Sequence, residues 1–187
     1  MTRIIAGVAG SLRLEVPHQS TRPTSDRVRE AIFSALESRM SLIGVRVLDL
    51  YAGSGALGFE ALSRGAASLT AVESHRDACR VLHRNRDTLA TALDASVSVD
   101  IRCQPVSSAL QNLRAEDAFD LVLIDPPYDL DHDELCANLE LLAGHVSDEA
   151  LVVVERRAQP EPGAWPDGYE VLAEKTYGDT RVVTLSR

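Results

Sequence analysis

From Val45 onward the chain alternates two kinds of segment, and this alternation limits the folds open to it more than any other feature. Short apolar runs are separated by longer stretches with helical periodicity. The spacing predicts strands over 45–50, 68–73, 97–103, 119–124 and 150–155, and helices over 56–64, 75–91, 106–114 and 132–143. Such repetition builds a mostly parallel sheet with helices on both faces. Beyond Gly163, Pro166 and Gly168, a hairpin near 169–174 and 180–186 is expected to complete seven strands. An antiparallel edge is a permitted variation on a parallel sheet.

The first 40 residues differ from this pattern. Residues 3–16 read as two short strands around Gly7 and Gly10. Thr21-Arg22-Pro23-Thr24 breaks the chain, and Thr24 or Ser25 can cap a helix running to about Met40, with Asp26 near its positive end. Val28, Ile32, Ala35 and Leu36 form its apolar stripe. The expectation is a small hairpin-and-helix extension over 1–40 joined to an α/β domain over 41–187.

Composition excludes several classes. With 45% apolar residues and no run long enough to span a bilayer, this is a globular chain without a membrane segment. The segment Arg3–Gly10 lacks a plausible cleavage site and reads as a strand, not a leader. Cys79, Cys103 and Cys136 are odd in number and scattered, which points to reduced thiols, a cytoplasmic setting and no structural zinc. A net charge of -9 argues against general adhesion to nucleic acid. Yet residues 1–39 carry six arginines against four acids, leaving -11 for the rest. A basic arm on an acidic body can still grip phosphates locally.

Two motifs carry chemistry. Val45–Tyr51 is a strand, and Ala52-Gly53-Ser54-Gly55-Ala56-Leu57-Gly58 follows it and opens a helix. Glycines let the backbone turn tightly and approach a ligand, and the helix start adds free donors. Glu73 ends the next strand, where a carboxylate can take the ribose hydroxyls of an adenosine-containing ligand. A dinucleotide and S-adenosylmethionine both fit the glycines; the second fits better in a chain without room for a further substrate domain. The other motif is Asp125-Pro126-Pro127-Tyr128, which ends the apolar strand 119–124. Two prolines remove two donors and fix two φ angles, giving a rigid corner at the carboxyl end of a strand. A carboxylate, a proline carbonyl and an aromatic face can there accept hydrogen bonds from an exocyclic amine and stack the ring that bears it.

Asp49–Gly55 together with Asp125–Tyr128 resembles the Rossmann-like class I S-adenosylmethionine-dependent methyltransferases that act on nucleobase amino groups. Arg3-Ile4-Ile5-Ala6-Gly7 and Thr21–Phe33 narrow this: the chain resembles the RsmD family of bacterial 16S ribosomal RNA guanine-N2 methyltransferases over nearly its whole length. The resemblance implies methyl transfer to a guanine N2, with Asp125, Pro126, Pro127 and Tyr128 as the catalytic corner. It implies a cofactor held by Asp49, Tyr51, Gly53, Ser54, Gly55, Glu73, Ser74, Gln104, Pro105, Val106 and Asp125. Asp49 has an alternative as a cap for the glycine loop. Arg13, Arg22, Thr24, Arg27 and Arg29 are the expected RNA contacts, with Arg13 standing in for a charge the family carries at Ser11-Leu12. The expected partner is 16S ribosomal RNA within a small subunit or assembly intermediate, and a monomer without metal is expected. An adenine-N6 methyltransferase, a non-catalytic RNA-binding assembly factor and a nicotinamide oxidoreductase stay open. Asp129–Glu134 lacks the glycine and distant Glu of a calcium loop and reads as a helix start. Trp165 reads as a plug for its loop, and the roles of Lys175 and Tyr177 are open.

Overall fold

The computed structural model describes residues 1–17, 25–93, 97–114, 116–159 and 163–187. Its main sheet is built from β3 (Arg46–Leu50), β4 (Ser68–Glu73), β5 (Ser98–Cys103), β6 (Phe119–Ile124), β7 (Val146–Arg157), β8 (Glu170–Tyr177) and β9 (Thr180–Ser186). The strand order is β5-β4-β3-β6-β7-β9-β8. The first five strands of that order run parallel, and β9 is antiparallel to both of its neighbours. The alternation read from the sequence is therefore realised, including the closing hairpin. Among the strands the boundaries differ most at β7, which starts four residues before the expected 150, and at β8, which runs three beyond 174; the helix Val106–Gln111 stops three residues short of the expected 114.

Two apolar cores flank this sheet. One face packs α1 (Asp26–Glu37), α2 (Ala56–Ser63) and α3 (Arg76–Ala92) through Val28, Phe33, Phe59, Leu62 and Leu82 onto Val47, Leu121, Leu123 and Val153. The other packs α4 (Val106–Gln111) and α5 (His132–Leu142) through Leu110, Leu135 and Leu139 onto Leu48, Val122, Ile124 and Val154. The inner strands β3 and β6 are buried on both faces along most of their length, which is why they are mostly apolar and not alternating, while the edge strands β5 and β8 are polar and largely exposed. Trp165 packs against the second core, with its ring edge-on to His132 at 5.5 Å.

The N-terminal segment is tied into the first core. β1 (Thr2–Arg3) and β2 (Arg13–Leu14) pair antiparallel, and Ile4, Ala9 and Leu14 join the cluster under α1. Ser25 caps α1 by accepting from the Val28 N–H at 3.3 Å. α1 ends at Glu37, three residues before the expected stop. Glu60, fully buried on α2, holds the segment in place. Its carboxylate accepts the backbone N–H of Ile5 at 2.7 Å and of Ala6 at 3.0 Å, and the Arg64 Nε–H at 2.8 Å. A β-carbon on Gly7 would overlap the Ser63 carbonyl, so the first glycine turn lies directly on α2.

Two expectations are corrected here. Arg29, expected at phosphate, is fully buried. Its guanidinium donates to Thr2 Oγ1 at 3.2 Å and to Asp26 Oδ1 at 2.9 Å, and Glu60 lies 3.9 Å from its Nε. A helix position that follows Val28 and precedes Ile32 turns inward, and the half-exposed Asp26 with the buried Glu60 makes a cation tolerable there. The expectation of free thiols also fails for two of the three cysteines. Cys79 and Cys103 are joined in a disulfide, leaving Cys136 free. The cause is local: parallel pairing sets Cys103 beside Glu73, and the first turn of α3 folds back over that strand end, placing Cys79 Sγ 3.2 Å from the Glu73 carbonyl. Arg22 and Thr24 lie outside the described residues.

Candidate active site

β3 is central, and the connections leave it towards β4 on one side and return to β6 on the other. The crevice at such a reversal, beyond the carboxyl ends of the strands, is where open α/β sheets take ligands. Both sequence motifs end at this crevice, on neighbouring strands.

The glycine turn is wound largely left-handed. Tyr51, Gly53 and Gly55 have φ of 63°, 57° and 81°. Tyr51 tolerates this although a β-carbon resists it. Its side chain is committed to the α5 side, where the hydroxyl accepts from Asn138 Nδ2 at 3.0 Å. Burial, with the nearby Glu134 charge, pushes its phenol up to about 12. Any part of Tyr51 in holding a cofactor thus falls to its backbone. The glycines divide the work. A β-carbon on Gly55 would overlap the Phe59 ring and Leu82, and one on Gly58 would stand 2.7 Å from Leu69 Cδ1 and 2.9 Å from Asp49 Oδ2. These two let α2 lie close on the sheet. Gly53 is different: the nearest atom to its β-carbon position is the Tyr51 carbonyl at 3.9 Å. Its bareness serves open space rather than packing.

Two buried carboxylates hold the turn from below. Glu73 accepts the Gly53 N–H at 2.8 Å and the His75 N–H at 2.7 Å, one on each oxygen. Asp49, 1% exposed, accepts the Gly58 N–H at 2.9 Å, which is the loop-capping alternative foreseen for it. Burial, and then the charges of Asp125 and Glu73, raise its carboxyl to about 8, against the opposing Gly58 hydrogen bond. A third support is Asn85 on α3, only 2% exposed. It donates to the Ser54 carbonyl at 2.8 Å and to the Glu15 carbonyl at 2.9 Å, and accepts the Glu15 N–H at 2.8 Å. It thereby joins the glycine turn to the strand end of the N-terminal segment.

The proline corner stands beside this turn. The last residue of β6, Ile124, pairs with Leu50 of β3, and the Asp125 N–H points to the Leu50 carbonyl at 3.4 Å. Leu121 and Leu123 face the α1–α3 core, so the two-residue strand period puts Asp125 on that same face, with Asp49 and the glycine turn. Pro126 is buried, Pro127 is exposed and Tyr128 is half-buried. The Arg157 guanidinium lies over the Tyr128 ring, 5.0 Å from its centroid. Ser74 is exposed at the end of β4, Pro105 caps α4 and Val106 is buried beneath it. Gln104 lines a polar hollow of about 420 Å³ with Arg102, Asn112 and Asp117, beside the edge strand. Arg13 and Arg27 are exposed. Among the described residues no three metal-ligating side chains converge, and no helix is long and apolar enough to cross a membrane.

Sequence reasoning did not single out Glu60, Asn85 or Arg157. Glu60 left a signal, a lone carboxylate inside an otherwise apolar helix. Asn85 and Arg157 left none, because each acts through a segment distant in sequence.

A mostly parallel sheet in this order, with a glycine turn after its central strand and a carboxylate–proline corner on the next, is the Rossmann-like methyltransferase fold. Comparison with known proteins agrees. Residues 2–186 match the family described as Conserved hypothetical protein 95. The chain is 35% identical to ribosomal RNA small subunit methyltransferase D of Escherichia coli, over 94% of this chain and 85% of that one. It is 33% identical to the protein of the same name from Haemophilus influenzae, over 94% and 89%. The solved structure of Escherichia coli yhhF superposes with a TM-score of 0.80 at 32% identity, covering 100% of this chain and 97% of the other. A hypothetical protein from Thermus thermophilus gives 0.82 at 29% identity, with both chains fully covered. The chain belongs to this family, the RsmD family.

Proposed function

We propose that this protein transfers a methyl group from S-adenosylmethionine to the exocyclic N2 of a guanine in 16S ribosomal RNA. The observation that carries the reading is the adjacency of the two motifs: Asp125 follows the strand beside the glycine turn and lies on the turn's own face of the sheet. The curated relatives' names supply the substrate class.

The residues present fit the cofactor. The open position at Gly53, the left-handed Gly55 at the start of α2 and the buried carboxyl groups of Asp49 and Glu73 together make a cradle for an adenosine derivative. Asp49, Tyr51 through its backbone, Gly53, Ser54 and Gly55 would hold its methionine and ribose parts, Glu73 the ribose, and Ser74 with Gln104, Pro105 and Val106 the base. When bound, it supplies an electrophilic methyl group. The chain's own part is to prepare the amine, whose lone pair is delocalised into the purine ring. Asp125 and the Pro126 carbonyl accept its N–H donors, and these bonds strengthen as positive charge grows on nitrogen. Pro127 keeps the corner stiff. Tyr128 stacks on the everted base, a contact worth about 1–3 kcal/mol in single-strand binders. Arg13 and Arg27, with Arg22 and Thr24 of the arm, grip phosphate; Arg29 has no share in this. The N-terminal segment is thus an RNA-binding extension. The protein acts in the cytoplasm, as a monomer and without metal, on a small subunit or its assembly intermediate.

The test is nucleoside analysis of small-subunit RNA from a strain lacking the gene. N2-methylguanosine should fall by one residue per subunit and return on complementation. Unchanged N2-methylguanosine with a loss of N6-methyladenosine would transfer the assignment to adenine.

A further inference from the structure

We infer that the terminal hairpin is a second RNA-binding surface, on which Arg157, Lys175 and Tyr177 carry the strand that flanks the target base. The inference rests on the methyl-transfer reading for the position of that base, and on independent geometry for the surface.

Strand register sets the row. Arg157 at the end of β7 pairs with Thr180 of β9, which pairs with Tyr177 of β8. Paired residues share a face, so these three side chains line up across the carboxyl edge of the sheet. Leu151, Val153 and Arg157 alternate onto the α1 face, which is also the face of Asp125. One step down, Lys175 is level with Val182 and Glu155. The row continues into a cavity of about 370 Å³ between α1 and the hairpin. Its lining includes Lys175, Tyr177, Arg39, Ser34 and Ser38, and no carboxylate residue.

Charge gives the surface its partner. In a chain of net charge -9, most described arginines are ion-paired. Arg157, Lys175 and Arg39 are all exposed, and Lys175 and Arg39 share the cavity lining with no carboxylate. The Arg157 guanidinium carbon lies over the Tyr128 ring, 5.0 Å from its centroid. That arrangement leaves the other face of the phenol for a base and the guanidinium's edge donors for the adjoining phosphate, the bidentate fit that arginine makes best. Cations, hydroxyls and one aromatic ring along a groove continuous with a base-stacking corner suit single-stranded RNA. Tyr177 supplies a second stacking platform for the neighbouring nucleotide.

The test uses the full chain and small ribosomal subunits from a strain lacking the enzyme. Binding is measured over a salt series, and N2-methylguanine formation is scored in the same preparations. Arg157→Ala and Lys175→Ala should each weaken binding about tenfold and lower the log–log salt slope by roughly one. Arg157→Lys should restore most of the slope. Tyr177→Leu should weaken binding with the slope unchanged, and Arg46→Ala, at the opposite end of the sheet, should alter neither. A double variant Arg157→Ala/Lys175→Ala with the wild-type slope would overturn the inference. If the slopes fall as stated but wild-type protein forms no N2-methylguanine, the surface stands and the reaction assignment falls. A wild-type protein that shows no salt-dependent binding would remove the surface as well.

Discussion

At the scale of single residues, the site is governed by three acids that share one crevice. Asp49 is raised to about 8 by burial, and the charges of Asp125 and Glu73 add to this. Its unfolded value is that of an ordinary carboxyl, near 3.8. The folded state therefore holds the extra proton between about pH 4 and pH 8, and stability from this group is lost as pH rises through that window. Urea midpoints of the wild-type protein should fall from pH 5 to pH 8 more steeply than those of Asp49→Asn, which keeps an acceptor for the Gly58 N–H. Parallel midpoint curves for the two proteins would show that Asp49 does not titrate there. A ligand bearing a positive sulfonium favours the ionised carboxylates, so the ratio of S-adenosylmethionine to S-adenosylhomocysteine affinity should rise across the same pH range. The role proposed for Asp125 is separate and lies at the base. Asp125→Ala should lower methyl transfer by about 10²–10³-fold, as for loss of a preorganised polar group at developing charge. Cofactor affinity by calorimetry should stay within about twofold if the carboxylate addresses the base.

At the scale of elements, the glycine turn and α2 form one device in which bareness has two uses. Gly58 lets the helix approach Leu69 and Asp49, and Gly53 leaves space above the turn. Gly58→Ala should cost about 1–3 kcal/mol of stability by overpacking. Gly53→Ala should cost about 1 kcal/mol through its positive φ, yet abolish detectable cofactor binding, because the new methyl enters open space and not the core. Comparing chemical denaturation with calorimetry for the two variants separates these uses; equal loss of stability would refute the division. The turn itself was legible, since strand, glycines and a strand-ending carboxylate are local patterns. That Glu73 would spend both oxygens on Gly53 and His75 was not, because parallel pairing of β3 and β4 creates that contact.

At the scale of the whole molecule, the N-terminal segment is locked to the catalytic body through a buried acid. Glu60 satisfies two backbone donors of that segment and faces Arg29 and Arg64. Glu60→Ala leaves the Ile5 and Ala6 N–H groups without their acceptor and takes a carboxylate from Arg29, which keeps Asp26, and from Arg64, which keeps Glu37; it should cost about 3–5 kcal/mol. Limited proteolysis should then cut near residues 5–12 faster than elsewhere. Unaltered cleavage and stability would mean that the apolar contacts of Ile4, Ala9 and Leu14 suffice alone. Asn85 extends the same linkage to the glycine turn, so the arm that would meet RNA and the loop that would meet cofactor rest on one side chain.

The sequence by itself determined the alternating architecture, the closing hairpin, the glycine turn and the proline corner. Each is written in neighbouring residues, through apolar periodicity, φ-permissive glycines and donor-free prolines. The tertiary structure alone decided which cations are available to a ligand. Arg29 and Arg27 are alike in sequence, yet one is buried between Asp26 and Glu60 and the other is exposed, while Arg157, unremarked in the sequence, comes to lie on Tyr128. Helix phase and strand register set those outcomes, and both depend on packing between segments that the chain's order keeps far apart.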